Sequence, residues 1–536
     1  MENKMSFASI SFIIFLGATL LLYYLVPKKI QWWILLAASY IFYFAAGSWY
    51  LPFIVFTTLS SYAIARLMAN NSSRESAYIA ENRENMDKDA RKAYKAGQKK
   101  KRFHILLVGI VLNFGILAVL KYTGFALNNV NAVIGAFGGA KLKIPSLILP
   151  LGISFYTFQT MGYLIDVYRG KTEAEKNVFR LALFVSFFPQ LVQGPISRHS
   201  DLASQLYAPH KAEWGNIVPG MIRICWGFFK KLVVADTVMI VIKEIVSDTG
   251  KYGGAYVLFL IIAYSVEIYA DFTGGIDITI GIGEAMGIKI AENFNRPFAS
   301  TSTKEYWNRW HITMGSWFTD YIFYPLSITK SMQRLSKWSR AHLGNAVGKR
   351  VPVYTATIIT WFLTGLWHGA SWNFIVWGLL NCLVILISQE CQPLYNKLNK
   401  RFPRLTKSAF WTLYLRAQTF MIMGTIRILD VYRNVPVTFK MLGSIFCDGK
   451  GWQSFLSGGV LSLGLDISAF VVIAVGILLM LAVSEISSRG DRPLKNRLAD
   501  KPLAAFGCMA ILIFAILIFG SYGIGFDASQ FIYTQF

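Results

Sequence analysis

VPVYTATIITWFLTGLWHGASWNFIVWGLLNCLVILISQ, from Val351 to Gln389, contains no Asp, Glu, Lys or Arg. A helix needs about 20 apolar residues to cross the hydrocarbon of a bilayer. The stretch therefore supplies two legs, joined near Trp367-His368-Gly369. Basic loops flank it. Lys330, Arg334, Lys337, Arg340, Lys349 and Arg350 lie in 329–350, and Lys397, Lys400, Arg401, Arg404 and Lys407 lie in 390–407. Lys and Arg concentrate in cytoplasmic loops, so the stretch leaves the cytoplasm and returns to it. His368 falls near the turn of this hairpin. An ionisable group in apolar sequence is costly and marks a functional candidate. Histidine also titrates near neutral pH, which suits proton transfer. The other reading is a histidine that hydrogen-bonds between packed helices, and the residue alone leaves both open.

The rest of the chain repeats the pattern. Of 536 residues 54% are hydrophobic and 15% charged, against a usual charged share of about 25%. Mean hydropathy is +0.44. These values exclude an ordinary soluble domain. Apolar runs predict spans at 7–26, 31–47, 50–69, 104–121, 146–165, 181–196, 216–242, 255–273, 351–367, 371–389, 408–428, 467–484 and 503–523. Segments 274–288 and 310–328 are weaker and read as re-entrant. The first run is too long for a signal h-region and reads as a retained span.

The formal net charge is +24. The positive-inside bias accounts for it without nucleic acid. Lys28 and Lys29 follow the first run, 47–50 carries no charge, and 70–103 carries ten Lys and Arg residues between Arg74 and Arg102. This segment reads as an amphipathic or partly disordered cytoplasmic loop. Loop 485–502, with Arg489, Arg492, Lys495, Arg497 and Lys501, also reads as cytoplasmic. The N-terminus and the tail 524–536 are then outside. The expected organisation is one integral membrane domain, 1–536, with a core at 145–390 and C-terminal helices at 391–523.

Several polar residues could carry chemistry. His311 ends the aromatic cluster Tyr306-Trp307-Asn308-Arg309-Trp310-His311. Such clusters also anchor helices at membrane interfaces. Glu267 and Asp271 are four apart and share a helix face. They line a polar cavity or pair with Lys or Arg of a neighbouring helix. Pro150-Leu-Gly152, Pro189 to Gly194-Pro195, and Gly274-Gly275 interrupt apolar runs. Irregular backbone at membrane depth requires surrounding protein or a water-filled cavity. Transporters share that property. Walker A, GxSxG and HExxH motifs are absent, and Gly281-Ile-Gly283 lacks a nucleotide-site context. The five cysteines have neither CxxC spacing nor clustered histidines, so no metal site and no disulfide framework is expected.

Taken together, certain blocks resemble the membrane-bound O-acyltransferase family, in its bacterial alginate O-acetyltransferase-like branch. They are 149–159 with 163–169, Phe188 to Pro195, Asn293-Phe-Asn-Arg-Pro-Phe298, Tyr306 to His311, Asp320-Tyr321 with Tyr324-Pro325, and Leu366-Trp-His-Gly-Ala-Ser371. The resemblance covers nearly the whole chain, and it is specific in combination rather than block by block. Two positions depart from the branch. Pro325-Leu-Ser-Ile-Thr-Lys330 stands where Gly-Gly-Asn-Arg follows Tyr-x-Pro-Leu, and Gly274-Gly275-Ile276 stands where Gly-Tyr-Ser is expected.

The resemblance implies an all-α polytopic fold with roughly 11–13 transmembrane helices and re-entrant segments around a central tunnel. It implies transfer of an acyl group, most simply acetyl, from a cytoplasmic thioester to an extracytoplasmic polysaccharide. Acetyl-CoA or an acyl carrier protein would be the donor, with no bound cofactor. It places the catalytic histidines at His368 and His311, with Asn308, Trp367 and Asp320 as assisting candidates. It also implies a secreted or periplasmic hydrolase-like partner and a bacterial cytoplasmic membrane. The terminal Phe531-Ile-Tyr533 resembles an element of D-alanyl transfer systems, so Tyr533 is a candidate acyl carrier or an interface anchor. Rival readings are D-alanyl transfer to teichoic acid, lipid O-acylation, and a transporter using His368 as proton relay. The transporter should show hydropathy symmetry between its halves, which is not visible.

Overall fold

The computed structural model describes residues 5, 7 and 9–522. They form an almost wholly helical structure, whose only β pairing among the described residues is the antiparallel bridge Phe294–Trp310. Six described helices are long and apolar enough to cross a bilayer: Ser48–Glu81, Lys88–Ala136, Ala255–Ala285, Trp372–Glu390, Ile467–Arg489 and Pro502–Phe519. Apolar helices also stand at Ile10–Leu25, Gln31–Ala46 and Val351–His368, where spans are predicted. In Ile467–Arg489 and Pro502–Phe519 residues such as Leu478, Leu481, Ile511 and Phe514 are exposed. Lipid is as apolar as these side chains, so a bilayer tolerates that surface. The chain is a multi-pass, membrane-embedded protein.

The described residues divide into two compact units. One comprises 1–213 with 286–290, and the other 214–285 with 291–536. In the first, segment 70–103 is not a loop. Leu51–Glu81 runs through its first part and Lys88–Ala136 through its last. Asp87 caps the second helix by accepting from Ala90 N–H at 2.6 Å. Tyr78 stacks on Tyr94 at 4.5 Å, Asn71 bonds Gln98 at 2.8 Å, and Arg102 pairs with Glu75 at 2.5 Å. These cross-pairs hold the basic segment as a helical hairpin. Lys88–Ala136 has 49 residues. At 1.5 Å per residue it is about 74 Å long, far beyond the ~30 Å of hydrocarbon, so its basic end projects beyond the hydrocarbon.

The predicted span 181–196 is also corrected. Val178–Ser186 has 9 residues and ends before a single turn, Phe188–Leu191, and irregular backbone follows. Several of its polar groups are met internally, which suits broken backbone at membrane depth. Gln190 Nε2 donates to Ser197 Oγ at 2.6 Å, and Gln159 bonds Gln190 at 3.3 Å. Gly152, at φ 69°, starts Ile153–Arg169. A Cβ there would lie 2.2 Å from the Leu191 carbonyl oxygen.

The second unit is built on Ala255–Ala285. Gly274-Gly275 does not interrupt this helix, and 274–285, expected as part of a re-entrant segment, completes it. Its glycines serve packing instead. A Cβ on Gly274 would lie 2.9 Å from Gly227 O, and one on Gly281 would lie 2.8 Å from Gly220 O. The helix therefore crosses Trp214–Phe228 backbone to backbone at two glycine pairs, which is how helices approach closely in lipid. The expected hairpin is present as Val351–His368 and Trp372–Glu390. A Cβ on Gly365 would lie 2.4 Å from Phe374 O, and one on Gly378 would lie 2.5 Å from Trp361 O, so each glycine faces the opposing backbone. Segment 310–328 breaks into Ile312–Phe318, a π-helical Thr319–Phe323, and Tyr324–Ser327.

Candidate active site

Two irregular segments place His311. Ser302 caps Thr303–Arg309, accepting from Glu305 N–H at 3.2 Å. The helix ends at Arg309, and the chain then pairs with 293–295. Asn295 N–H donates to Arg309 O at 2.9 Å, and Ile312 N–H donates to Asn293 O at 3.0 Å. Between these bonds His311 takes φ 48° and ψ 51°, a left-handed conformation that non-glycine residues seldom adopt. Such strain persists where the surroundings over-determine it, and it clusters at functional sites. The ring is fully buried, with Phe272 edge-on at 4.9 Å.

The hairpin places His368. It is the last residue of Val351–His368, and Gly369 N–H closes the helix on Gly365 O at 3.3 Å. Its half-buried ring meets Trp377 edge-on at 4.5 Å and Trp367 at 5.0 Å. The buried Trp367 also stands 6.1 Å from His311, ring to ring.

His311 and His368 line one enclosed cavity with Trp307, Trp310, Trp377, Phe374, Met314 and Ile268. Its free space is about 10 Å³, room for about one water molecule. An acyl group enters only if the aromatic walls give way. Two further polar residues line it, Arg427 and Asp430, both from Ala409–Tyr432. Arg427 is buried, donates from Nη2 to Tyr306 Oη at 2.8 Å, and lies with Cζ 4.0 Å from the Trp310 ring centre. Trp310 in turn lies parallel to Tyr306, 5.6 Å away. Arg427 thus fixes the two aromatics that precede His311 through a charged hydrogen bond and a cation–π contact.

Of the residues singled out in the sequence, His368, His311 and Trp367 come together. Asn308 is exposed on Thr303–Arg309, Asp320 lies in the π-helical turn, and neither lines the cavity. Tyr533 lies outside the described residues. Sequence reasoning missed Arg427, Asp430 and the contact of Asn293 with His311. A cation at the end of the apolar run 408–428 was the signal for Arg427. Asn293 carries no such signal, being an ordinary polar residue until the fold brings it to the ring.

Glu267 and Asp271 are both buried in Ala255–Ala285, and Asp271 meets a cation. Lys231 Nζ lies 2.6 Å from Asp271 and 2.9 Å from Asp236. Lys230 lies 2.6 Å from Asp277, which also takes Arg223 at 2.8 Å. Pairing with a neighbouring helix is therefore the observed role of Asp271.

The family model for MBOAT, the membrane-bound O-acyltransferase family, matches residues 175–426, which hold both histidines. Curated relatives match over more of the chain. "Probable alginate O-acetylase AlgI" of Azotobacter vinelandii is 30% identical over 467 residues, 86% of this chain and 82% of that protein. The "Peptidoglycan O-acetyltransferase" of Helicobacter pylori is 31% identical over 331 residues, 56% of this chain and 58% of that one. The "Teichoic acid D-alanyltransferase" of Bacillus subtilis is 28% identical over 282 residues, 51% of this chain and 67% of that one.

Proposed function

The chain belongs to the membrane-bound O-acyltransferase family and is an acyltransferase, and we propose that it moves an acetyl group from a cytoplasmic thioester, through a tunnel in the protein, to a hydroxyl of an extracytoplasmic polysaccharide. The observation that carries this reading is the shared cavity of His311 and His368. His368 is the general base. It takes the proton of the attacking hydroxyl as the oxygen bonds to the thioester carbonyl carbon. The carbon–sulfur bond then breaks, and the imidazolium returns the proton to the leaving thiolate. A positioned base of this kind contributes about 10²–10⁴ in rate. His311 faces the carbonyl oxygen, where negative charge gathers, and a fixed donor there contributes about 10²–10³.

Acetyl-CoA is the proposed donor, with an acyl carrier protein as the other source of the same thioester. The relatives' names, alginate and peptidoglycan O-acetylation, support a cell-envelope polymer as acceptor. The basic loops support a bacterial cytoplasmic membrane with both termini outside. Tyr533 is the proposed intermediate acceptor, handing the acyl group to a secreted hydrolase-like partner. The test is thiol release from labelled acetyl-CoA by the purified protein. Turnover lost in His368→Ala, with label on the wild type and none on Tyr533→Phe, supports the reading and its relay. Turnover indifferent to His368→Ala overturns the site. Turnover with D-alanyl carrier protein, and none with any short acyl-CoA, moves the protein to D-alanyl transfer.

A further inference from the structure

Asn293 touches His311 with both ends of its amide. Nδ2 lies 3.1 Å from His311 Nδ1, and Oδ1 lies 3.2 Å from it. Distances to the ring do not choose between two arrangements, because Nδ1–H could donate to Oδ1, or Nδ1 could accept from Nδ2–H. Thr313 makes the choice. Its backbone N–H, which can only donate, meets Asn293 Oδ1 at 3.1 Å, and its Oγ1–H meets the same oxygen at 2.9 Å. The first contact orients the amide. The two together occupy both lone pairs of the carbonyl oxygen. What remains for the ring is Nδ2–H, a donor, so Nδ1 must accept. The backbone supports the arrangement from both sides, since Asn293 O also accepts from Ile312 N–H at 3.0 Å. Asn293 and Thr313 are themselves buried.

We propose that Asn293 is a positioning residue that holds His311 neutral with its proton on Nε2. Resting on the acyl-transfer reading, this makes His311 a hydrogen-bond donor to the carbonyl oxygen and excludes it as the proton acceptor. The two histidines then divide the chemistry, with His368 accepting the hydroxyl proton and His311 donating to the oxyanion. Thr313 enforces the choice, so the tautomer is decided two residues from the ring it serves. A ligating or catalytic imidazole is commonly fixed in this way by the partner of its other nitrogen.

The experiment is nitrogen NMR of the ¹⁵N-histidine-labelled protein in lipid nanodiscs, with the His311 resonances found by difference from His311→Gln. The expected pattern is a pyridine-type Nδ1 and a pyrrole-type Nε2. Asn293→Asp replaces the amide donor with an acceptor. It should move the proton to Nδ1 or charge the ring, and lower kcat about 10²-fold with donor KM held within about threefold. A wild-type ring protonated on Nδ1, or doubly protonated, overturns the inference whatever the turnover. The expected tautomer together with full turnover in Asn293→Asp upholds the tautomer and overturns the role of His311 in acyl transfer. Thr313→Val frees one Oδ1 lone pair 3.2 Å from Nδ1, so part of the His311 population should move its proton to Nδ1. A pattern wholly unchanged there would overturn the part assigned to the Thr313 hydroxyl.

Discussion

Lys231 Nζ lies 2.6 Å from Asp271 Oδ1, with 2% and 1% of the two side chains exposed. Removing one partner of such a pair strands the other charge away from water. Asp236, at 2.9 Å on the other side of the same ammonium, would be stranded as well. Lys231→Met should destabilise the protein by about 3–5 kcal/mol, and adding Asp271→Leu should recover part of the loss. Thermal denaturation in detergent reads both. An unchanged melting temperature in the single variant would show that the network does not hold Ala255–Ala285 in place.

The two glycine pairs of that helix make a separate prediction. Gly274 and Gly281 leave no room for a Cβ against the Gly227 and Gly220 carbonyls, whereas Gly17 has nothing within 4 Å. Gly281→Val should cost about 1–3 kcal/mol through overpacking. Gly17→Ala should be neutral or stabilise by up to about 1 kcal/mol, since alanine is the better helix former. Equal melting temperatures for the two variants would contradict the close crossing.

Arg427 offers a test of the cavity wall. Lysine keeps the charge but loses the planar group that lies over Trp310 while bonding Tyr306. Arg427→Lys should lower turnover roughly tenfold, because Tyr306 and Trp310 carry the chain into His311. If Arg427→Lys turns over like wild type, the stack has no part in setting the ring.

His368 and Asn308 should separate cleanly in one assay. His368→Gln should lower thiol release by about 10²–10⁴ with little change in melting temperature. Asn308→Ala should stay within about twofold of wild type, as exposed substitutions away from a site usually do. A large loss in Asn308→Ala would place the exposed face of Thr303–Arg309 in the reaction.

Donor binding should also be visible from the walls. Free space of about 10 Å³ between Trp307, Trp310 and Trp377 is too small for an acetyl group. Binding of a non-hydrolysable acyl-CoA analogue should therefore change tryptophan emission in the wild type, and less so in Trp377→Phe. No change on saturation would mean that the acyl group stops short of the histidines.

The membrane class and both histidines are legible in the amino-acid sequence, His368 from its uncharged setting and His311 from the family resemblance of Tyr306 to His311. An uncharged run of two membrane lengths with one histidine at its centre determines the hairpin and the place of His368 at its turn, because hydrocarbon admits charge only at a cost. The same rule fixes the multi-pass class and the basic loops. It does not distinguish glycines that break a helix from glycines that let two helices touch, since both lack a Cβ and only the neighbour decides. Gly274 therefore reads as a break along the chain and proves to be a contact. Segment 70–103 likewise reads as a loop, because the pairing of Tyr78 with Tyr94 that folds it into a helical hairpin leaves no local mark. Nor can local sequence give Arg427 its place against Trp310, or Asn293 its place against His311. Those contacts join residues far apart in sequence, and hydrogen-bond direction depends on which third group occupies each lone pair. Sequence determined which residues were too costly to be idle. Tertiary structure decided which of them meet, and on which side of an imidazole the proton resides.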